Sequence, residues 1–498
     1  MLSRLRLQFP IEVFRSAQLW VMLIAVALPP LFFGSVDQLS ISLWVGLLSI
    51  GVLCGVAEPL SRNQYRVAIA FLSLCGVYAA VACLQLIPYL FGPLNDPIWR
   101  QAGGLLGLDL KPRISSRAEI PPVAIGHFLL LITSLLGGFF CATSRQNAET
   151  VFLTARFAIV VYALYGLFAL ALTPSLILWA PKMAYRGYLT STFINHNTAA
   201  TLIGAGLILW ICSAIHTLQS LGRLTSVRLL LLIPSNEQIG FKLVLRAGAG
   251  LVCLFALLLT GSRGGLICTA LGLLVAVMLL VSNRVKLSFR YGIVLATIAL
   301  LIVVGWLGQI GVVANRGLFD DGRWAAYGLS LEVIRNHPWL GVGAGTFADL
   351  FPSLRPDDFK SWGVWDFAHS TIIEIALEMG VPVALMVVGG CVASLFILIR
   401  AAQRSSEHSR VALAAVSGIA VLSYLHSTID FSLQIPGYLI PFGILLGCGL
   451  ARATAEPAKR RSQRSSDELV RPTLLEVGPL TPDPVPSEFV RGPPSATP

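Results

Sequence analysis

About twelve apolar segments, each long enough to cross a bilayer, succeed one another along this chain with short polar links between them. A helix of about 20 apolar residues spans the hydrocarbon core, and a backbone held there must satisfy its own hydrogen bonds. Together these conditions leave one fold class, an all-α polytopic membrane protein. The segments run over about 17–34, 39–58, 67–91, 121–142, 152–173, 197–216, 243–261, 264–282, 291–311, 371–399, 411–428 and 435–451. Composition agrees: only 12% of residues are charged, against about 25% in soluble domains. The seventh and eighth segments touch, but about 40 residues make two crossings, and Gly261-Ser262-Arg263-Gly264-Gly265 supplies the turn between them.

The net charge of +11 has to be read by location. No basic face on a soluble domain is visible, so nucleic acid is excluded as a partner. The nine cysteines all lie in or beside apolar runs and read as small buried hydrophobes, not as metal ligands or a disulfide framework. The first apolar run follows Arg4, Arg6 and Arg15, lacks a clear cleavage site, and reads as a retained helix. With twelve spans and both termini in the cytoplasm, about two thirds of the 36 Lys and Arg fall on the cytoplasmic side, as the positive-inside rule requires. Residues 1–455 then form the transmembrane domain, and 456–498, rich in Pro, Ser, Arg and Glu, a disordered cytoplasmic tail. The opposite face carries loops at about 92–121 and 174–196, the Arg263 turn, and a large loop over about 312–370 between the ninth and tenth spans. Loops of that length inside a membrane protein are usually functional.

Every chemically useful polar cluster falls on that opposite face. Arg263, at the junction of two helices, is either a topology anchor paired with an acid such as Asp430, or a clamp for an anion, since guanidinium offers a fork of donors that matches phosphate oxygens. Arg323 follows Asp320 and Asp321, which suit a helix N-terminus; it reads as a second phosphate contact. The stretch from Trp324 to Arg335 has helical periodicity and suits an interfacial helix, and His337-Pro338 ends it. The glycines of Leu340–Phe347 resemble a phosphate loop only superficially, because no strand precedes them and no Lys follows. His369, followed by Ser370, Glu374 and Glu378, has the chemistry of a general base near neutral pH. His426 and Asp430 share a helix face and suit a buttress for Arg263 or His369. Carboxylates are too scattered for an obligatory metal, and no cofactor is expected.

These residues resemble the O-antigen ligase and polymerase superfamily. The resemblance rests on Thr260–Leu266, on Gly322-Arg323-Trp324 with Asn336–Phe347, on Ala368–Glu374 with Glu378-Met379-Gly380, on Thr192–Asn197, and on His426–Asp430, in order over about residues 190–450. It implies a metal-independent glycosyltransferase of the bacterial inner membrane. The implied donor is a glycan on undecaprenyl pyrophosphate, presented at the periplasmic face among membrane lipids. The implied acceptor is lipid A–core for a ligase, or another lipid-linked repeat unit for a polymerase. The family's pyrophosphate-holding arginines map onto Arg263 and Arg323, and its essential loop histidine onto His369. Ser262, Asn195, Asn197, Ser370, Glu374, His426 and Asp430 take supporting places. Ser370 stands where the family often has Asn, and the Asn195-His196-Asn197 group departs from the commoner Gly/Asn-rich version. A transporter of an anionic lipid-linked substrate is the competing class. Transporters tend to carry mid-membrane charges and repeated halves, and neither is seen here.

Overall fold

The computed structural model describes residues 2–56, 58–220, 237–281, 321–356 and 365–455. In chain order the helices are α1 (Leu2–Ala27), α2 (Gln38–Gly55), α3 (Arg62–Gln85), α4 (Ile98–Leu106), α5 (Pro122–Cys141), α6 (Arg145–Leu172), α7 (His196–Ser220), α8 (Glu237–Leu259), α9 (Arg263–Val281), α10 (Asp321–Asn336), α11 (Phe347–Leu354), α12 (Thr371–Met379), α13 (Val381–Arg404), α14 (Glu407–His426) and α15 (Pro436–Thr454). Eleven helices among the described residues are long and apolar enough to cross a membrane. They match every expected span except the ninth, which lies outside the described residues together with Asp320 and the tail from 456. The protein is an all-α polytopic membrane protein.

Local signals set the helix starts. Asp37 caps α2 by accepting from the Ser40 amide at 2.9 Å. Ser61 and Gln64 close a capping box on α3, and Ser144 caps α6. Each satisfies amides that would otherwise lack a partner at a helix end. Outward-facing side chains such as Leu43 and Leu53 on α2 are largely exposed, as hydrocarbon permits and water does not.

α7 and α15 form the buried centre. Lipid is as apolar as leucine, so helix association depends on close packing of small residues. At the α9–α14 crossing Gly272 and Gly418 meet back to back, and a Cβ on Gly272 would lie 2.3 Å from the Gly418 carbonyl oxygen. At the α5–α15 crossing a Cβ on Gly447 would lie 2.1 Å from the Leu135 carbonyl oxygen. Only glycine admits these approaches.

Two details depart from the sequence expectation. The tenth span, expected as one run from 371 to 399, is broken. α12 ends at Met379 and α13 begins at Val381, with Gly380 at φ +85° between them. A side chain there would meet the Trp339 carbonyl oxygen at 2.3 Å, so the break exists to let the large loop pack against the helix end. The Val381 amide donates to the Pro338 carbonyl at 2.8 Å across this contact. The loop regions also carry structure of their own: α4 in the first, and in the second a hairpin pairing β1 (Leu176–Ile177) with β2 (Ala180–Pro181). The helix expected over Trp324–Arg335 is α10, and it ends directly before His337-Pro338.

Candidate active site

The turn that follows α14, from His426 to Ser432, is the point on which the sequence-selected residues converge. It begins where α14 ends and is closed by amides of Thr428 and Ile429 donating back to Leu425 and His426 carbonyls. Asp430 is fully buried within it. One Asp430 oxygen accepts from the Asn197 side-chain amide at 3.0 Å and the other from the Ser432 hydroxyl at 2.6 Å. Asn197 sits in the first turn of α7, where its backbone amide donates to the Asn195 side chain at 2.8 Å. Its side-chain carbonyl accepts from the Ser262 hydroxyl at 2.7 Å. Ser262 in turn accepts from the Gly265 amide at 3.1 Å and so caps α9. His426 is buried, with Nδ1 2.7 Å from the Thr201 hydroxyl. A chain of hydrogen bonds thus ties α7, α9 and α14 together at one end of the bundle. Buried carboxylates persist only where such partners exist.

Arg263 is the first residue of α9. Gly261 sits in the preceding turn at φ +65°, where a Cβ would meet the Tyr188 ring at 2.5 Å, so this tight turn requires glycine. Gly264, beside Arg263, faces Ile429 and His426. The half-buried Arg263 guanidinium makes no ion pair or hydrogen bond among the described residues. No Arg263–Asp430 ion pair forms among the described residues; Asp430 is bound instead by Asn197 and Ser432. Arg323, in the first turn of α10, donates to the Ile429 carbonyl at 3.0 Å.

His369 lies in a loop whose backbone is pinned from several sides. It adopts φ +55°, a left-handed conformation costly for a non-glycine residue. Tyr327, one turn along α10 from Arg323, donates its hydroxyl to the His369 carbonyl at 2.8 Å. Two residues on, the Thr371 amide donates to the Ser427 carbonyl at 2.9 Å. The imidazole packs edge-on against Trp365 and Phe431, with ring centroids 4.9 and 4.8 Å away. Ser370 caps α12. Glu374 accepts from the Ala368 amide at 2.7 Å and from the Gln434 side chain at 2.5 Å, and so fixes the residue before His369. Burial and then the neighbouring Glu378 push the Glu374 carboxyl well above the usual carboxylate range, against the pull of those two donors.

Glu378 explains the glycine-rich loop. Its carboxylate accepts from the Gly345 and Phe347 amides at 2.9 and 3.0 Å. Buried Gln85, at the end of α3, binds the Leu340 and Glu378 carbonyls and accepts from the Ala344 amide at 3.1 Å. The loop amides that would cradle a phosphate are thus committed to protein groups. Burial raises the Glu378 carboxyl, and the amides oppose that rise. Exchanging Glu378 for Gln sets an NH2 group against one of these donors. It should cost about 1–3 kcal/mol, read as a lowered unfolding midpoint of the purified protein, and an unchanged midpoint would contradict this account.

The sequence reading missed several neighbours. Thr201, one turn beyond Asn197, and Ser432, two residues beyond Asp430, complete the buried network. Trp365 and Phe431 wall His369. Tyr185 stacks on His196 with centroids 4.3 Å apart. Lys182, buried with its ammonium donating to the Tyr188 carbonyl at 2.6 Å, is a further cation within electrostatic reach of His196. Burial lowers its pKa. Thr201 had a usable signal in its helical spacing from Asn197; the others reach their partners only through the fold.

The fold thus gathers Arg263, Arg323 and His369 around the turn that follows α14, at one end of a bundle of membrane helices. Residues 248–388 match the family model for O-antigen ligase, a stretch that contains Arg263, Arg323, His369, Glu374 and Glu378. Over that stretch the chain is similar to the O-antigen ligase family. That family indicates ligase- or polymerase-type activity by a glycosyltransferase-like enzyme on lipid-linked glycans, in a multi-pass protein of the bacterial inner membrane. No curated protein matches the chain.

Proposed function

We propose that the protein transfers a glycan from undecaprenyl pyrophosphate to a hydroxyl of lipid A–core or a similar acceptor, at the periplasmic face and without a metal. The acceptor oxygen attacks the anomeric carbon of the donor sugar, and the bond from that carbon to pyrophosphate breaks. Undecaprenyl pyrophosphate leaves with the bonding electron pair, and His369 takes the acceptor proton. Arg263 and Arg323 hold the pyrophosphate and stabilise its developing charge. In a poorly hydrated groove such electrostatic stabilisation is commonly the largest catalytic contribution.

The observation that carries this reading is the shared turn. Gly264 beside Arg263 packs on Ile429, Arg323 binds the Ile429 carbonyl, and the His369 ring rests on Phe431 two residues further on. The test is transfer of a labelled glycan between two lipids by purified protein in detergent, with EDTA present and ATP absent. Product formation supports the reading, and a protein that only moves the intact lipid-linked glycan across vesicles contradicts it. The acceptor is read from a deletion strain. Uncapped core with accumulated long lipid-linked glycan marks the ligase, and single lipid-linked units mark a polymerase.

A further inference from the structure

Two arginines meet at the end of the bundle away from the candidate site, and nothing in the proposed transfer uses them. Arg156 on α6 donates through Nη1 to the Ser213 hydroxyl at 2.8 Å, and Arg246 on α8 donates through Nη1 to the Ser213 carbonyl at 3.1 Å and to the Thr217 hydroxyl. Ser213 lies 17 residues along α7 from His196, which at 1.5 Å per residue is about 26 Å from the candidate site. Arg156 is clamped over the Trp210 ring at 5.1 Å, and its Nε is buried without an acceptor. Neither guanidinium has a carboxylate partner among the described residues, and Glu149, an acid on the same helix, is engaged by Arg145 and His408.

Two like charges converging on one serine inside a spanning region repel, and each is costly to withdraw from water. An anion between them replaces the repulsion with attraction and offsets the cost of desolvation. The flanks define what kind of anion. Phe157, whose ring Arg156 also overlies at 5.8 Å, with Leu153 on α6 and Leu245 on α8, each within one turn of an arginine in sequence, are exposed apolar side chains, which suits acyl chains and not a free ion.

We propose that Arg156 and Arg246 form a binding site for the phosphate of an anionic phospholipid, seated between α6 and α8 against α7. Under the orientation proposed above this is the cytoplasmic leaflet, where basic pockets between helices take acidic headgroups. The site stands independently of the transfer chemistry.

The test is native mass spectrometry of the purified protein after exchange into phosphatidylglycerol, phosphatidylcholine, or detergent with inorganic phosphate. The wild type should retain phosphatidylglycerol at least fivefold more than phosphatidylcholine. Arg156→Gln with Arg246→Gln should abolish that preference, while Arg145→Gln, at a surface arginine paired with Glu149, should keep it. Equal retention of the two lipids by the wild type, or undiminished preference in the double variant, overturns the proposal. Displacement of the lipid by millimolar inorganic phosphate also overturns it, by showing a free-anion site. Should the double variant fail to fold, Arg246→Gln alone decides by the same readings.

Discussion

Replacing His369 with alanine should slow glycan transfer by about 10²- to 10⁴-fold, the usual worth of a positioned general base, while the protein still accumulates in the membrane. The loop around it is held by groups other than the imidazole. Tyr327 binds the His369 carbonyl, Glu374 the Ala368 amide, and Ser427 the Thr371 amide. Alanine keeps all three, so the backbone should hold and the loss should fall on the chemistry. His369→Gln, which retains polarity but cannot take the proton, should be as inactive. Transfer rates in detergent measure both variants. A His369→Ala strain that builds normal capped polysaccharide would remove histidine from the mechanism.

Arg263→Gln should reduce transfer about a hundredfold, the equivalent of roughly 3 kcal/mol of lost charge stabilisation, with no change in the unfolding midpoint. The second half of that statement follows from the structure. Arg263 has no protein partner among the described residues, so its removal breaks nothing in the fold. Arg323→Gln makes an instructive contrast, since Arg323 also donates to the Ile429 carbonyl; its loss should lower activity and stability together. Lysine should rescue Arg263 poorly, because an ammonium lacks the planar fork that meets two phosphate oxygens. An Arg263→Gln protein that is fully active, or one that is inactive only because it unfolds, would count against the clamp.

The candidate site was legible in unequal parts. Arg263 stood out because a charge between glycines at a helix junction has few structural uses, and the turn it occupies could be read from Gly261 alone. His426 and Asp430 were paired by helical spacing, yet in the fold Asp430 lies beyond the end of α14 and bonds to Asn197, 233 residues away in sequence, and to Ser432. Glu378 looked like a companion of His369 and is instead the anchor of the glycine-rich loop. The amides that bind its carboxylate come from residues 345 and 347, and nothing local in the sequence announces that pairing.

What the sequence alone determined is what local physics governs: the all-α polytopic class, the apolar spans that the described helices match, the glycine turn before Arg263, and the end of α10 at His337-Pro338. Each depends on a few adjacent residues meeting a bilayer or a backbone constraint. The tertiary structure decided which helices lie side by side, and with that the partners of every buried polar group. Glycine contacts such as Gly272 against Gly418 bring backbones together, and only then do Asn197, Ser262 and Asp430 come within hydrogen-bonding distance. The same packing leaves Arg263 without an acid partner among the described residues, because the buried Asp430 carboxylate is held by the side chains of Asn197 and Ser432.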